Sequence, residues 1–102
     1  MDVTVADAPE RERFEAWLPG GTLVGAAYYT MREDAVVFTH TEVPEEYEGQ
    51  GIATQLVRSA LDSVRARNLR VIALCPYVRA FLRKHEDEYR DLVGHTPAPP
   101  EA

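Results

Sequence analysis

Two glycines, Gly49 and Gly51, stand between a strand-like run and an amphipathic run with helical spacing. Glycine lets backbone N–H groups approach a ligand with no Cβ in the way. A helix that starts just after them aims its unpaired N–H groups, and the positive end of its dipole, at the same spot. Together they can hold a phosphate anion without a lysine. The same spacing also serves ordinary turns. Glu48-Gly49-Gln50-Gly51-Ile52-Ala53 therefore reads either as an anion cradle or as a tight connection.

Three further residues could carry chemistry. Cys75 ends an apolar run just before Pro76, at the same edge of the expected sheet as the glycine loop. It is either a small buried hydrophobe or a thiol that Arg79 nearby could activate. His40, in the strand-like run before the loop, is either a general base, work that histidine's unperturbed pKa of ~6.5 suits, or a satisfied structural histidine. Tyr77 follows Pro76 and either places its hydroxyl in the crevice as an acid or packs on the core. His85 and His95 read as surface residues. No histidine and cysteine pair has metal-ligand spacing, so no metal site is expected.

The elements that must position these residues follow from the hydrophobic pattern. Asp2–Asp7, Arg11–Leu18 and Thr22–Thr30 read as strands, the last two joined by the turn at Pro19-Gly20-Gly21. Arg32-Glu33-Asp34 turns the chain into a β-branched and aromatic strand, Val36–Val43, which Pro44 stops. If that strand is regular, Phe38, His40 and Glu42 share one face. Ile52, Leu56, Val57, Ala60, Leu61 and Val64 recur at spacings of three and four, which predicts a helix from about 51 to 67, with Asn68 as its stop. Residues 70–75 predict a second parallel strand, buried on both faces. Tyr77–Lys84 reads as a short helix with Val78, Phe81 and Leu82 inward, and Glu86–Val93 as a further helical turn or two. The Pro-rich stretch Thr96–Ala102 reads as a fraying tail. The pattern is an antiparallel β-meander joined to one parallel βαβ unit, an α+β (mixed α/β) fold.

Composition sets the remaining bounds. A chain of 102 residues, 45% hydrophobic and 27% charged, fits one domain over residues 1–95 and can bury a core. Nothing resembles a signal peptide, and no apolar run approaches the ~18 residues of a membrane span. A soluble, cytoplasmic chain without a membrane partner is the expectation. The net charge of −6 argues against nucleic-acid binding. Its distribution is uneven: eleven acids against three bases give −8 on residues 1–50, and eight bases against six acids give +2 on residues 51–102. A polyanion would lean on the second half, where Arg79, Arg83 and Lys84 cluster, and a cationic acceptor on the first.

Three blocks carry a resemblance: Thr39-His40-Thr41-Glu42-Val43-Pro44 with Tyr47 and Gly49-Gln50-Gly51-Ile52-Ala53, then Leu74-Cys75-Pro76-Tyr77-Val78-Arg79, then Tyr89 with Asp91-Leu92-Val93. On these blocks the chain resembles the small YjdJ-type branch of the GNAT acetyltransferases, a resemblance that extends over residues 3 to 93. The superfamily's acetyl-CoA motif falls on Glu48, Gly51 and Ala53, and Glu48 departs from its Gln or Arg. The resemblance implies a GNAT-like fold with acetyl-CoA in the gap between the two parallel strands. The thioester carbonyl would meet backbone near Glu42 and Val43, the pyrophosphate would sit on Glu48–Ala53, and the adenine end would lie near Arg79 and Arg83. It further implies Cys75 and His40 as the catalytic pair, with Tyr77 as a candidate acid. Acetyl transfer to an amine, lysine-like or a polyamine, is the activity implied, by a monomer or weak homodimer. A CoA-binding module without catalysis is the alternative.

Overall fold

A computed structural model describes residues 1–93; the tail 96–102 and His95 lie outside the described residues. Alternating apolar side chains broken by turns produce strands β1 (Thr4–Ala8), β2 (Arg13–Trp17), β3 (Leu23–Arg32) and β4 (Ala35–Glu42). Helix α1 (Ile52–Ala66) leads to β5 (Arg70–Ala73), α2 (Pro76–Lys84) and α3 (Glu86–Val93). The sheet order is β1-β2-β3-β4-β5, antiparallel up to β4 and parallel between β4 and β5. This is the expected mixed α+β topology of a meander joined to a βαβ crossover. The second strand begins later than expected, because Pro9–Arg11 makes a 3₁₀ turn in front of it.

Helix α1 is the wedge that holds the sheet. Its buried residues are those of the sequence pattern: Ile52, Leu56, Val57, Ala60, Leu61 and Val64. Each of the larger ones contributes roughly 1.5–3 kcal/mol of transfer free energy. Asn68 ends the helix in the left-handed region, at φ 58°. Its N–H donates to the Arg65 carbonyl (3.0 Å) and that of Leu69 to the Val64 carbonyl (3.1 Å), which satisfies carbonyls the helix end would otherwise orphan. Across from α1, Phe14, Tyr29 and Phe38 form an aromatic cluster with ring centroids 5.3–6.3 Å apart. Helix α3 is latched by Tyr89, whose ring is faced by Arg58 at 6.0 Å and Arg65 at 5.1 Å. Phe81 of α2 also meets Arg58, at 5.5 Å, so all three helices gather on one face of the sheet.

Two expectations are corrected. The strand β5 is not buried on both faces: only Val71 is buried, while Arg70, Ile72 and Ala73 are half-buried. It is an edge strand, and no helix among the described residues covers the second face. The strand β4 is not regular either. Tyr29 pairs with Phe38 and Tyr28 with His40, leaving Thr39 as an extra residue whose hydroxyl donates to the Tyr28 carbonyl at 3.4 Å. A bulge reverses the alternation beyond it. Phe38 therefore faces the core together with Thr41, and His40 and Glu42 share the opposite face.

That opposite face carries its own polar order. Glu15 is 4% exposed, and its carboxylate accepts from Arg13 Nε (2.7 Å), Trp17 Nε1 (3.2 Å) and Arg11 Nη1 (3.4 Å). Burial would raise its pKa, but the hydrogen bonds from Arg13 and Trp17 outweigh it and hold the carboxyl below its usual range. Its stabilising contribution is present above the unfolded-state pKa and is lost as pH falls through the folded one. Glu15→Gln should therefore cost about 2 kcal/mol at neutral pH and flatten the acid limb of a pH–stability curve, read by urea unfolding from pH 7 to 3.

Close approach is required at one glycine. A Cβ on Gly25 would lie 3.3 Å from Ile52 Cγ2 and 3.4 Å from Leu56 Cδ2 and from the Glu42 carbonyl. Gly25→Val should push α1 off the sheet and lower the urea midpoint by the equivalent of about 2 kcal/mol.

Candidate functional site

The two parallel strands pair only over Ala35–Phe38 and Arg70–Ala73. At that point the Phe38 carbonyl accepts from both Leu74 N and Cys75 N, each at 2.9 Å, and the ladder ends. Beyond it β4 stays with β3 through the bulge, while the other chain turns into α2 at Pro76. A cavity of about 390 Å³ lies at this end, walled by Thr41 and Val43 of the β4 exit and by Tyr77 of α2. Its remaining wall is the loop Tyr47–Gly49 and the first turn of α1.

That loop has the backbone an anion needs. Gly49 and Gly51 sit at φ 80° and 78°, where a side chain is strained, and open space surrounds both. Gly51 is the N-cap of α1, and no side chain caps the helix. The N–H groups of Ile52, Ala53 and Thr54 therefore end at the cavity without intrahelical partners. They and the helix dipole favour an anion there. Glu48 lines the same cavity but is exposed. Gln50 does not line it, and its carbonyl lies 3.5 Å from the amino terminus of Met1.

The other candidates divide between the faces of β4. Cys75 is 2% exposed, and its Sγ lies 3.4 Å from Thr41 Oγ1, directly behind the cavity wall. Arg79 does not reach the thiol: Nε and Nη2 both donate to the Ala73 carbonyl at 3.4 Å. Tyr77 is exposed, and its hydroxyl meets Thr54 Oγ1 at 3.3 Å across the cavity mouth. His40 stands on the far side of the strand, its side chain 60% exposed, with Nε2 3.1 Å from Glu42 Oε2 and its ring stacked on Tyr28. The geometry thus brings Tyr77, Val43, Ile52 and Ala53 together with the glycine loop. It does not bring Cys75 and His40 together. Glu42 instead borders a separate groove on the open face.

Arg83 lies away from this cavity, at the exposed end of α2. A second hollow, of about 360 Å³, shares Thr54 and Tyr77 with the first and continues to Arg58, Lys84 and His85. Glu88 holds Arg58 at 2.7 Å. Thr41, Tyr47, Thr54 and Arg58 were not among the sequence candidates. Thr54 had a readable signal, as the third residue after Gly51 in the first helical turn. Thr41 had none, because the bulge that aims it inward leaves no mark in residue types. Among the described residues, no group of three His, Cys, Asp or Glu could hold a metal ion.

A family model described as GCN5-related N-acetyl-transferase matches residues 13–92. The chain is 44% identical to protein NATD1 of Bos taurus over 58 residues, 57% of this chain and 51% of that one. It is 32% identical to protein NATD1 of Danio rerio over 69 residues, 67% of this chain and 63% of the relative. The chain thus spans less than two thirds of the length of these curated relatives. A GCN5-like protein of Staphylococcus aureus, solved by NMR, matches with a TM-score of 0.67 at 24% identity. That likeness covers 88% of this chain and 86% of the other, and it is a likeness of fold. The match over residues 13–92 covers both parallel strands, the glycine loop and all but the last residue of α3, and the chain belongs to the GCN5-related N-acetyltransferase family.

Proposed function

We propose that this chain is an acetyl-CoA-dependent N-acetyltransferase that acylates an amine. The observation that carries the reading is the uncapped start of α1, which opens on a cavity where two parallel strands part. The N–H groups of Ile52, Ala53 and Thr54 would hold the pyrophosphate, with Gly49 and Gly51 keeping side chains out of its way. Backbone near Glu42 and Val43 would receive the thioester end. The adenine end would follow the shared groove past Tyr77 towards Arg58 and Lys84, with Arg83 and Arg79 adding charge nearby.

Acetyl-CoA supplies an activated acyl group, and the residues of this chain move the protons. An amine must be neutral to attack, so His40, backed by Glu42, takes a proton from it on the open face of the sheet. The reaction forms a C–N bond at the acetyl carbonyl and breaks the C–S bond. Tyr77 then protonates the departing thiolate from the cavity side. The parting of β4 and β5 lets the two substrates meet from opposite faces. The burial of Cys75 behind Thr41 favours direct transfer over a covalent acetyl-cysteine. A coenzyme A-binding module without catalysis is the second reading, favoured by the Glu48 carboxylate at the phosphate loop.

Coenzyme A binding followed by calorimetry, together with thiol release on an amine panel, separates the two readings: binding without release on any amine overturns catalysis. Gly51→Ala should weaken coenzyme A binding about tenfold, because strain of ~1–2 kcal/mol at this φ shifts the amide cluster. Tyr77→Phe should lower kcat by about a hundredfold. Cys75→Ala should keep kcat within about fivefold and show no burst phase; loss of turnover together with an acetylated wild-type protein by mass spectrometry would establish the covalent route.

A further inference from the structure

Two glycines leave the loop before α1 with a wide choice of shapes. Gly49 and Gly51 both sit at positive φ with open space around them, and glycine is the residue with most backbone freedom to lose. No side chain caps the helix at Gly51. A loop that is ordered only when an anion arrives gives up part of the binding free energy to that ordering. Contacts from outside the loop hold its carbonyls. Gly51 O accepts from Gln55 N at 3.2 Å and from Gln55 Nε2 at 3.4 Å, and Gln50 O lies 3.5 Å from Met1 N.

Gln55 joins these contacts into one. A helical side chain leans back towards the helix N-terminus, so the residue four positions after Gly51 lies over it. The side-chain amide has two N–H donors and one acceptor oxygen. The donors go to Gly51 O and Met1 O, and the oxygen accepts from Val3 N at 3.2 Å. Those partners fix which way the amide points, because two carbonyls require its nitrogen and one N–H requires its oxygen. The backbone ahead of β1 is thereby tied to the first turn of α1, across 52 and 54 positions of sequence. Val3 packs against the core cluster, which anchors the far end of the tie. Gln55 itself is half-buried and stands outside the wall of the coenzyme cavity. It engages a carbonyl of the loop and leaves the N–H groups of Ile52, Ala53 and Thr54 to the cavity.

We infer that Gln55 is a positioning residue for the coenzyme loop: it clamps Gly51 to the backbone of residues 1–3, so that the segment before β1 helps set the affinity for the coenzyme's phosphates. The inference rests on the acetyl-transfer reading and adds to it a determinant outside the cavity wall. Gln55 touches no reacting atom and acts through the loop alone.

The test is a double-mutant cycle on the full chain. It reads coenzyme A binding by calorimetry and, without coenzyme, the amide chemical shifts of the ¹⁵N-labelled chain. Gln55→Met keeps the length of the side chain and removes both donors and the acceptor. Val3→Pro removes the N–H that donates to Gln55 Oε1; Val3 precedes β1, so the ladder to β2 keeps its hydrogen bonds. Gln55→Met should weaken coenzyme A binding about tenfold, Val3→Pro about threefold, and the double variant no more than Gln55→Met alone. In the free chain each single variant should move the amides of Gly49, Gln50 and Gly51 and leave those of Ala27 and Val36, in the central strands, where they were. Unchanged binding in Gln55→Met, additive losses in the double variant, or shifts that reach Ala27 and Val36 equally would each overturn the inference. Loop amides that stay put in either single variant would overturn the clamp whether or not coenzyme binds. A wild-type chain that binds no coenzyme A, while its loop amides respond to both variants, rejects the coenzyme site and keeps the clamp.

Discussion

The carbonyl of Phe38 accepts two amide protons, from Leu74 and Cys75, and there the parallel pairing of the sheet stops. Everything placed around the cavity depends on that pair of hydrogen bonds. One strand cannot continue beside the other once its last two N–H groups converge on a single acceptor. The chain after it is released into Pro76, whose fixed φ suits the first turn of α2. On the other side, the bulge at Thr39 lets β4 continue along β3 while re-aiming its side chains. The cavity is the space between a strand that goes on and a strand that has stopped.

One-sided packing is the second constraint. The apolar stripe of α1, with Phe81 and Tyr89 of the later helices, covers one face of the sheet, and the other mixes small apolar residues such as Ala26 with Arg13, Glu15, His40 and Glu42. Glu15, the buried carboxylate among the described residues, lies on that face and is matched by Arg13, Trp17 and Arg11. The division also separates the chemistry. The glycine loop with its uncapped helix start and Tyr77 belong to the helical face, and His40 with Glu42 belongs to the open face. In the proposed reaction, the end of the parallel pairing at Phe38 is where a coenzyme on one face and an acceptor on the other would meet.

The helical face is held by charge as well as by burial. Arg58 and Arg65 reach from α1 over the Tyr89 ring and pair with Glu88 and Asp91 of α3. These contacts fix the end of the groove that runs from the glycine loop past Tyr77. Exposed ion pairs of this kind are individually weak. Gathered around one buried aromatic side chain, they set where α3 lies, and so where Arg58 stands at the groove.

Residue types alone carry the element order, the parallel βαβ unit, the buried stripe of α1 with its stop at Asn68, and the glycine loop. Each of these is a local matter, of period, of a residue tolerating positive φ, or of a missing side chain, and residue types record it directly. The single-domain expectation and the tail at 96–102 rested on composition. What residue types did not record is the register between strands. Nothing in Phe38-Thr39-His40-Thr41-Glu42 marks Thr39 as a supernumerary residue, because a bulge is fixed by the partner strand and the packing on both sides. That one residue put Thr41 against Cys75 and moved His40 to the other face. The edge position of β5, which left it half-exposed, was likewise decided only when the sheet was assembled and helices covered one side of it. Tertiary pairing, not residue identity, chose which chemistry-bearing side chains meet.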